Sequence, residues 1–437
     1  MSILFCTSMK KLVKSIINKF RRIRFSDSIS RLKKCDVLLF CHDADRGIEL
    51  GNKAYSPLID SMRAELELKG FSCYSISHPW SIYTGKRGYG SPIAMNRSYF
   101  YHRLSFYVNS LLKKIGIFNF PNYCVYREIL KITSPKLIVT IGAPDELCFE
   151  ARRLNIFHVE LLHGIGITFI PWGWDTKDVN FLPQGILSLD NISTKAFRPL
   201  TEKRIEIKTI PHPFLKRFLD INSGFATLPE EWKIKSVCSE LYRKEILVSL
   251  NWGYSGDHIL YNNILSNGLF YEEIINVMKV NRNILFRFRL HPVQLRKSLY
   301  KGQRKFLENL AVENPNMEWE ESSRLPYPVV VSSCSGNISM NSFSCYDAAS
   351  MGVKSLMLCP TILTNGIHQD WFLDLVEEGY VEKIIIDENI LNNWVNSVER
   401  VMPRLANLED STSWNHVLDW FKSKMCNTPR ISNQGFS

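Results

Sequence analysis

The chain has no apolar run approaching the ~18 residues that a membrane-spanning helix needs. It has no Walker loop, no Gly-x-Ser-x-Gly elbow and no Gly-x-Gly-x-x-Gly fingerprint. The sequence therefore offers no sign of P-loop phosphoryl transfer, of a hydrolase nucleophile elbow or of the common dinucleotide turn. Its eleven cysteines are scattered, without the close pairs of a zinc site or the density of a disulfide scaffold. They read as reduced, mostly buried thiols of a cytoplasmic protein. No short repeat is present. Asp43 and Asp45 form an Asp-x-Asp without other acids nearby, read as loop chemistry, so no metal is expected, and no cofactor either.

What is present is a globular composition, 45% hydrophobic and 22% charged, in 437 residues, enough for two domains. The net charge of +11 is concentrated at the start. Residues 1–34 hold ten Lys or Arg and one acid, which is +9, leaving +2 for the rest. A nearly neutral body argues against a nucleic-acid groove. Within the tail, Leu12, Val13, Ile16, Ile17, Phe20 and Ile23 recur at helical spacing beside the basic residues. That pattern suits the surface of an anionic membrane; docking of the stripe on the body is one alternative, and a targeting peptide the other, the weaker because no long apolar core or small-residue cleavage site follows.

Apolar runs alternate with helical spacing along both halves, as in doubly wound α/β domains. The first half, 35–218, opens with the strand Cys35–Cys41 and continues through strands at 136–141, 156–162, 186–189 and 205–210. The strand 136–141 runs into Gly142-Ala-Pro-Asp145, and 156–162 into His163-Gly164. In a parallel sheet both loops share one edge, so His163 and Asp145 are candidate general bases. A packing histidine and an N-cap aspartate are the structural alternatives. The loop carrying Trp172 and Trp174 lines an acceptor site or caps the core. Residues 220–244 read as a linker, and 396–437 as terminal helices.

The second half, 245–395, begins with the strand 245–250 and the turn Asn251-Trp-Gly253. In Arg287-Phe-Arg289-Leu-His291-Pro, period-2 alternation puts the two arginines and the histidine on one face. A guanidinium fork suits phosphate oxygens. The stretch 328–360 then reads as a βαβ unit: a buried strand at Val329–Val331, a hydroxyl-rich loop with Ser333, Ser335, Asn337 and Ser342, a helix bearing Asp347, and a strand at 355–359. Such a loop at a helix N-terminus suits a phosphate, and Asp347 lies where it reaches a ribose hydroxyl.

Leu161-Leu-His163-Gly164, Arg289-Leu-His291-Pro292 and the Ser-rich loop into Tyr346-Asp-Ala-Ala-Ser-Met-Gly352 resemble motifs of bacterial surface-polysaccharide glycosyltransferases of the GT-B architecture, which make capsule and O-antigen. They also resemble those of the related teichoic-acid glycerophosphotransferases. The resemblance implies two Rossmann-like domains facing each other across a cleft, with an acceptor domain first and a nucleotide-donor domain second. His163 would stand in the base-bearing His-Gly loop. Arg289, His291 and Ser333, Ser335 or Ser342 would meet donor phosphate. Asp347 stands where many such enzymes carry a Glu near the donor ribose, a departure that leaves the nucleotide undefined.

The expectation is thus an inverting, metal-independent glycosyltransferase using a CMP-, UDP- or GDP-linked sugar and a lipid-linked oligosaccharide acceptor, peripheral at the inner face of the cytoplasmic membrane. Its donor residues would be Arg287, Arg289, His291, Ser333, Ser335, Asn337, Ser342, Asp347, Asn251 and Gly253. Transfer of a polyol phosphate from a CDP-linked donor, epimerisation of a nucleotide sugar and a non-catalytic binding role are the alternatives.

Overall fold

A computed structural model describes residues 27–114, 123–222, 228–235, 241–252, 265–404 and 414–426. The chain forms two compact units, one of residues 1–214 with the segment from 408 onward, the other of residues 215–407.

The first unit is built on a parallel sheet of β1 (Val37–Cys41), β4 (Cys73–Ser77), β5 (Leu137–Thr140), β6 (Phe157–Leu161), β7 (Gly185–Ser188) and β8 (Glu206–Thr209), in the order β4-β1-β5-β6-β7-β8. A small antiparallel hairpin, β2 (Ile48–Leu50) with β3 (Lys53–Tyr55), lies outside it. Every residue of β1 is buried because both faces of the sheet are covered. Val37, Leu39 and Cys41 face one core with the helix Ile59–Leu68. Leu38 and Phe40 face the other, with Val125, Ile129 and Leu130 of the helix Val125–Thr133. The last helix, Trp414–Cys426, returns to this unit, burying Val417, Leu418 and Phe421 against the first core. At about 1.5–3 kcal/mol for each large apolar side chain buried, that return holds the helix to this unit.

Residues 27–34, expected in the tail, also belong to this body. Ile29 and Leu32 are buried in the second core, and Asp27 accepts from the Ser98 amide at 2.8 Å. Residues 1–26, with the apolar stripe, lie outside the described residues.

The second unit carries β9 (Lys244–Ser249), β10 (Ile284–Arg289), β11 (Met317–Glu318), β12 (Gly336–Ser339), β13 (Lys354–Met357) and β14 (Val381–Lys383), all parallel, in the order β11-β10-β9-β12-β13-β14. The chain starts in the middle, winds one way, then crosses and winds the other. The switch point lies between β9 and β12.

One expected element is wrong in kind. Val329–Val331 is not a strand but the buried face of the helix Tyr327–Ser333, which Pro328 at its first turn favours. The strand is the polar run Gly336–Ser339, wholly buried. It is tolerated because its side chains satisfy one another. Ser249 Oγ donates to Asn337 Oδ1 at 2.6 Å, and Asn337 Nδ2 to Ser355 Oγ at 2.9 Å, a rung across three strands. Among the described residues no helix is long and apolar enough to cross a membrane.

Candidate functional site

Shifting the strand from 329–331 to 336–339 divides the expected donor residues. Ser333 and Ser335 come before β12, at its amino end. Ser333 Oγ donates to Glu245 Oε2 at 2.8 Å, and the Ser335 amide to the Glu245 carbonyl at 2.8 Å. Asn337 is consumed by the rung. Arg287 is buried, with Nε 2.6 Å from Glu245 Oε2 and Nη1 3.4 Å from Glu318 Oε2. These four residues are structural, and none reaches the carboxyl edge. Period-2 alternation put Arg287 and Arg289 on one face correctly. It could not show that the carboxylates of Glu245 and Glu318 claim the first of them. Gly253 lies outside the described residues.

The others meet at the carboxyl ends of β9, β10 and β12. Asn251, just past β9, donates through Nδ2 to Asn341 Oδ1 at 3.0 Å and accepts from Ser339 Oγ at 3.1 Å, closing the switch point. Ser342 Oγ stands 2.9 Å from Ser344 Oγ at the start of the helix Ser344–Ser350. Arg289, at the end of β10, donates to the carbonyls of Ser322 and Leu325 and lies 5.6 Å from the centre of the Tyr327 ring. No carboxylate of the described residues pairs with it. Burial pulls its guanidinium down to about 10, which leaves it charged at neutral pH.

His291 caps the helix Pro292–Arg296. Its Nδ1 accepts from the Val293 amide at 3.2 Å, while Gln294 reaches back to its amide. Nδ1 is therefore an acceptor, so in the neutral ring Nε2 carries the proton. Burial, then Arg289 and Arg296, lower its pKa to about 4, so the ring is a neutral donor at pH 7.

Two buried polar atoms at this edge have no partner among the described residues: Asp347 Oδ1 and the Tyr327 hydroxyl. The Ser344 and Ser249 hydroxyls lie near the Tyr327 oxygen without satisfying it. Burial alone raises the Asp347 carboxyl to about 7. An enclosed, unsatisfied carboxyl and phenol beside an unpaired guanidinium suit a polar ligand. Tyr327 was missed in the sequence because the segment was read as a strand.

In the first unit, His163 follows β6 and is exposed, with its ring centre 6.0 Å from that of Trp172. Trp174 is buried in the core while Trp172 is half exposed. Asp145 opens the helix Asp145–Arg153, exposed and 2.9 Å from Lys177 Nζ. Sequence reasoning missed two further features of this edge. His42, after β1, stacks on His78, after β4, at 4.0 Å and 7° between planes. Glu160, on β6, is fully buried under the loop after β5. It accepts from the Gly142 amide at 2.5 Å, the Ala143 amide at 3.1 Å and Thr140 Oγ1 at 2.5 Å. Burial raises its carboxyl to about 8. Among the described residues no group of three or more His, Cys, Asp or Glu is placed to hold a metal ion.

No family model and no curated protein matches the chain. Solved structures do. The wall teichoic acid polymerase TagF is similar over 98% of this chain and 98% of its own, at a TM-score of 0.53 and 10% identity. A UDP-GlcNAc 2-epimerase from Neisseria meningitidis, solved with UDP-GlcNAc bound, is similar over 90% of this chain and 95% of its own, at a TM-score of 0.50 and 13% identity. The chain has the GT-B fold class, with two Rossmann-like α/β units on parallel six-stranded sheets.

Proposed function

We propose that the protein is a glycosyltransferase that takes its sugar from a nucleotide-linked donor. The donor is held at the carboxyl edge of the second sheet, and the acceptor by the first unit. The observation that carries the reading is the group of Asp347, Tyr327 and Arg289: two buried polar atoms without partners and one guanidinium without a counter-ion among the described residues, beside a strand switch point. Arg289 and the Nε2–H of His291 would stabilise the departing phosphate as negative charge develops there. Asp347 would meet a ribose hydroxyl, and the serines at 342 and 344 a phosphate oxygen. On the first unit, His163 would take the proton of the attacking acceptor hydroxyl, with Asp145 as the rival base. A CMP-, UDP- or GDP-linked sugar is the donor class. A lipid-linked surface polysaccharide is the acceptor class, reached from the inner face of the membrane with help from the basic residues of the tail.

The extent of the likeness to the wall teichoic acid polymerase, nearly the whole of both chains, supports a second reading, transfer of a polyol phosphate from a CDP-linked donor. The bound ligand of the meningococcal epimerase keeps epimerisation of a UDP-sugar as the third. A thermal-shift series with CMP, CDP, UDP, GDP and UDP-GlcNAc tests all three. Stabilisation by one nucleotide class defines the donor, since a ligand at 100 times its Kd adds about 2.7 kcal/mol. A flat response to every nucleotide would remove the reading.

A further inference from the structure

The strand order places a second switch point in the first unit, between β1 and β5, where the chain winds outward on both sides. His42 stands just past β1 and Gly142 just past β5. Gly142 has a φ of +77°, and a β-carbon there would lie 2.6 Å from His42 Cδ2 and 2.7 Å from His42 Nε2. The absent side chain is what lets the imidazole settle over the loop. From below, Glu160 holds the Gly142 amide. Behind His42, the parallel ring of His78 is locked by its Nε2 to the Ile141 carbonyl at 3.1 Å. Burial, and next the neighbouring His42, lower His78 to about 3, so it stays a neutral packing surface.

The ring of His42 is thus fixed on one face by a neutral ring and on its edge by a glycine. It is itself exposed, and its nitrogens make no hydrogen bond to the described residues. A ring held this firmly, with its donor and acceptor both unused, is preorganised for a ligand's polar groups. His163 ends the next strand beyond Gly142. Two strand spacings, about 10 Å, therefore separate the ends of β1 and β6, with the loop at Gly142 between them. That span suits a sugar ring or a short polyol.

We propose that His42 and the Gly142 loop form an acceptor subsite for a polyhydroxylated compound, in which His42 binds a hydroxyl and His78 positions His42. This rests on the glycosyltransferase reading, where the first unit takes the acceptor. Histidine ring signals and the Gly142 amide signal of the full chain, followed by NMR during addition of glycerol and of glucose, test it. Saturable shifts are expected at His42 and Gly142. The variant His42→Phe keeps a flat ring for the stack and removes the nitrogens. It should melt at the same temperature and weaken the Gly142 response at least tenfold, and Gly142→Ala should weaken the His42 ring response as much by displacing the ring. A silent His42 signal, or an unchanged response in His42→Phe, overturns the subsite. A positive response in a chain that binds no nucleotide would keep the subsite and reject the nucleotide-linked donor. Nucleotide binding with a silent His42 would do the reverse.

Discussion

Arg287 and Glu245 face each other across neighbouring strands of the second sheet, with Nε to Oε2 at 2.6 Å and Nη2 to Oε1 at 3.2 Å. The side chains are 1% and 7% exposed. Such a pair gives no surplus of stability over an apolar pair, but losing one partner leaves the other charged and enclosed. Arg287→Ala is therefore expected to lose about 3–5 kcal/mol in denaturant unfolding, and the folded fraction should bind nucleotide with unchanged affinity. A stable variant with weakened nucleotide binding would return Arg287 to the donor site.

The pH dependence of stability separates Glu160 from the buried histidines. His78 and His158 are held near 3 and His291 near 4, mainly by burial. Their folded values are depressed for bases, so the unfolded chain binds more protons between those values and about 6.5. Stability rises with pH through that window and is then level. Glu160 is an acid raised to about 8. Between 4.5 and 8 the folded state keeps a proton that the unfolded state has lost, so stability falls as pH rises. Asp347 adds to the fall only up to about 7. From pH 7 to 8 the decline is shared by Glu160 and by His102, whose hydrogen bonds with Cys124 and Glu146 raise it to about 10, each contributing up to about 1.4 kcal/mol per pH unit. Urea midpoints taken across that interval should fall for the wild type and fall distinctly less for Glu160→Gln, the remaining slope being that of His102.

The strands of hydrocarbon side chains were legible because their burial is written in composition: Val37–Cys41 and most of Lys244–Ser249 announce themselves. Gly336–Ser339 did not, because a central strand made of polar residues is stable only through partners on β9 and β13 that no local pattern reveals. The nearby valines, the best apolar run in that stretch, drew the assignment to a helix instead. The same logic hid Glu160 inside what reads as an apolar strand, and hid the His42–His78 stack, whose members are 36 positions apart. Arg289 and His291 were legible because both sit at a strand end marked by a proline.

Asp347 is expected to trade stability for binding. Its buried Oδ1 accepts no hydrogen bond, and burial holds the carboxyl near 7, so at pH 8 the fold carries an enclosed charge. Asp347→Ala should raise the melting temperature at pH 8. It should also weaken the stabilising nucleotide by about 10- to 100-fold, the range of one lost hydrogen bond to a charged group. Calorimetric titration and a melting curve on the same preparation decide it. A lower melting temperature would show that Asp347 serves the fold.

The basic tail can be tested without disturbing the body, provided that the cut respects the core. Ile29 and Leu32 are buried, so removing residues 1–34 would damage the first unit, and the cut belongs at residue 26. The shortened chain should keep its melting temperature and lose affinity for vesicles rich in phosphatidylglycerol, since each basic residue near such a surface contributes about 1 kcal/mol. Sedimentation equal to the full chain's across a salt series would remove the tail from membrane binding.

His163 and Asp145 end neighbouring strands of the first unit and are the two candidates for the base of the proposed transfer. Asp145 is held 2.9 Å from Lys177 Nζ, so its carboxylate already has a partner. His163 is exposed beside Trp172, with glycine following it and no ion-pair partner among the described residues. If His163 takes the acceptor's proton, His163→Ala should reduce turnover by roughly 10²–10⁴-fold. Nucleotide affinity should stay within about twofold, because the donor is assigned to the second unit, and a small change of this size is under 0.5 kcal/mol. Asp145→Asn should retain most of its turnover. Nucleotide release from the donor identified by thermal shift measures the turnover of both variants. Near-normal turnover in His163→Ala with collapse in Asp145→Asn would move the role to the aspartate. A matching loss of melting temperature in His163→Ala would instead make the histidine a packing residue of the loop that carries Trp172.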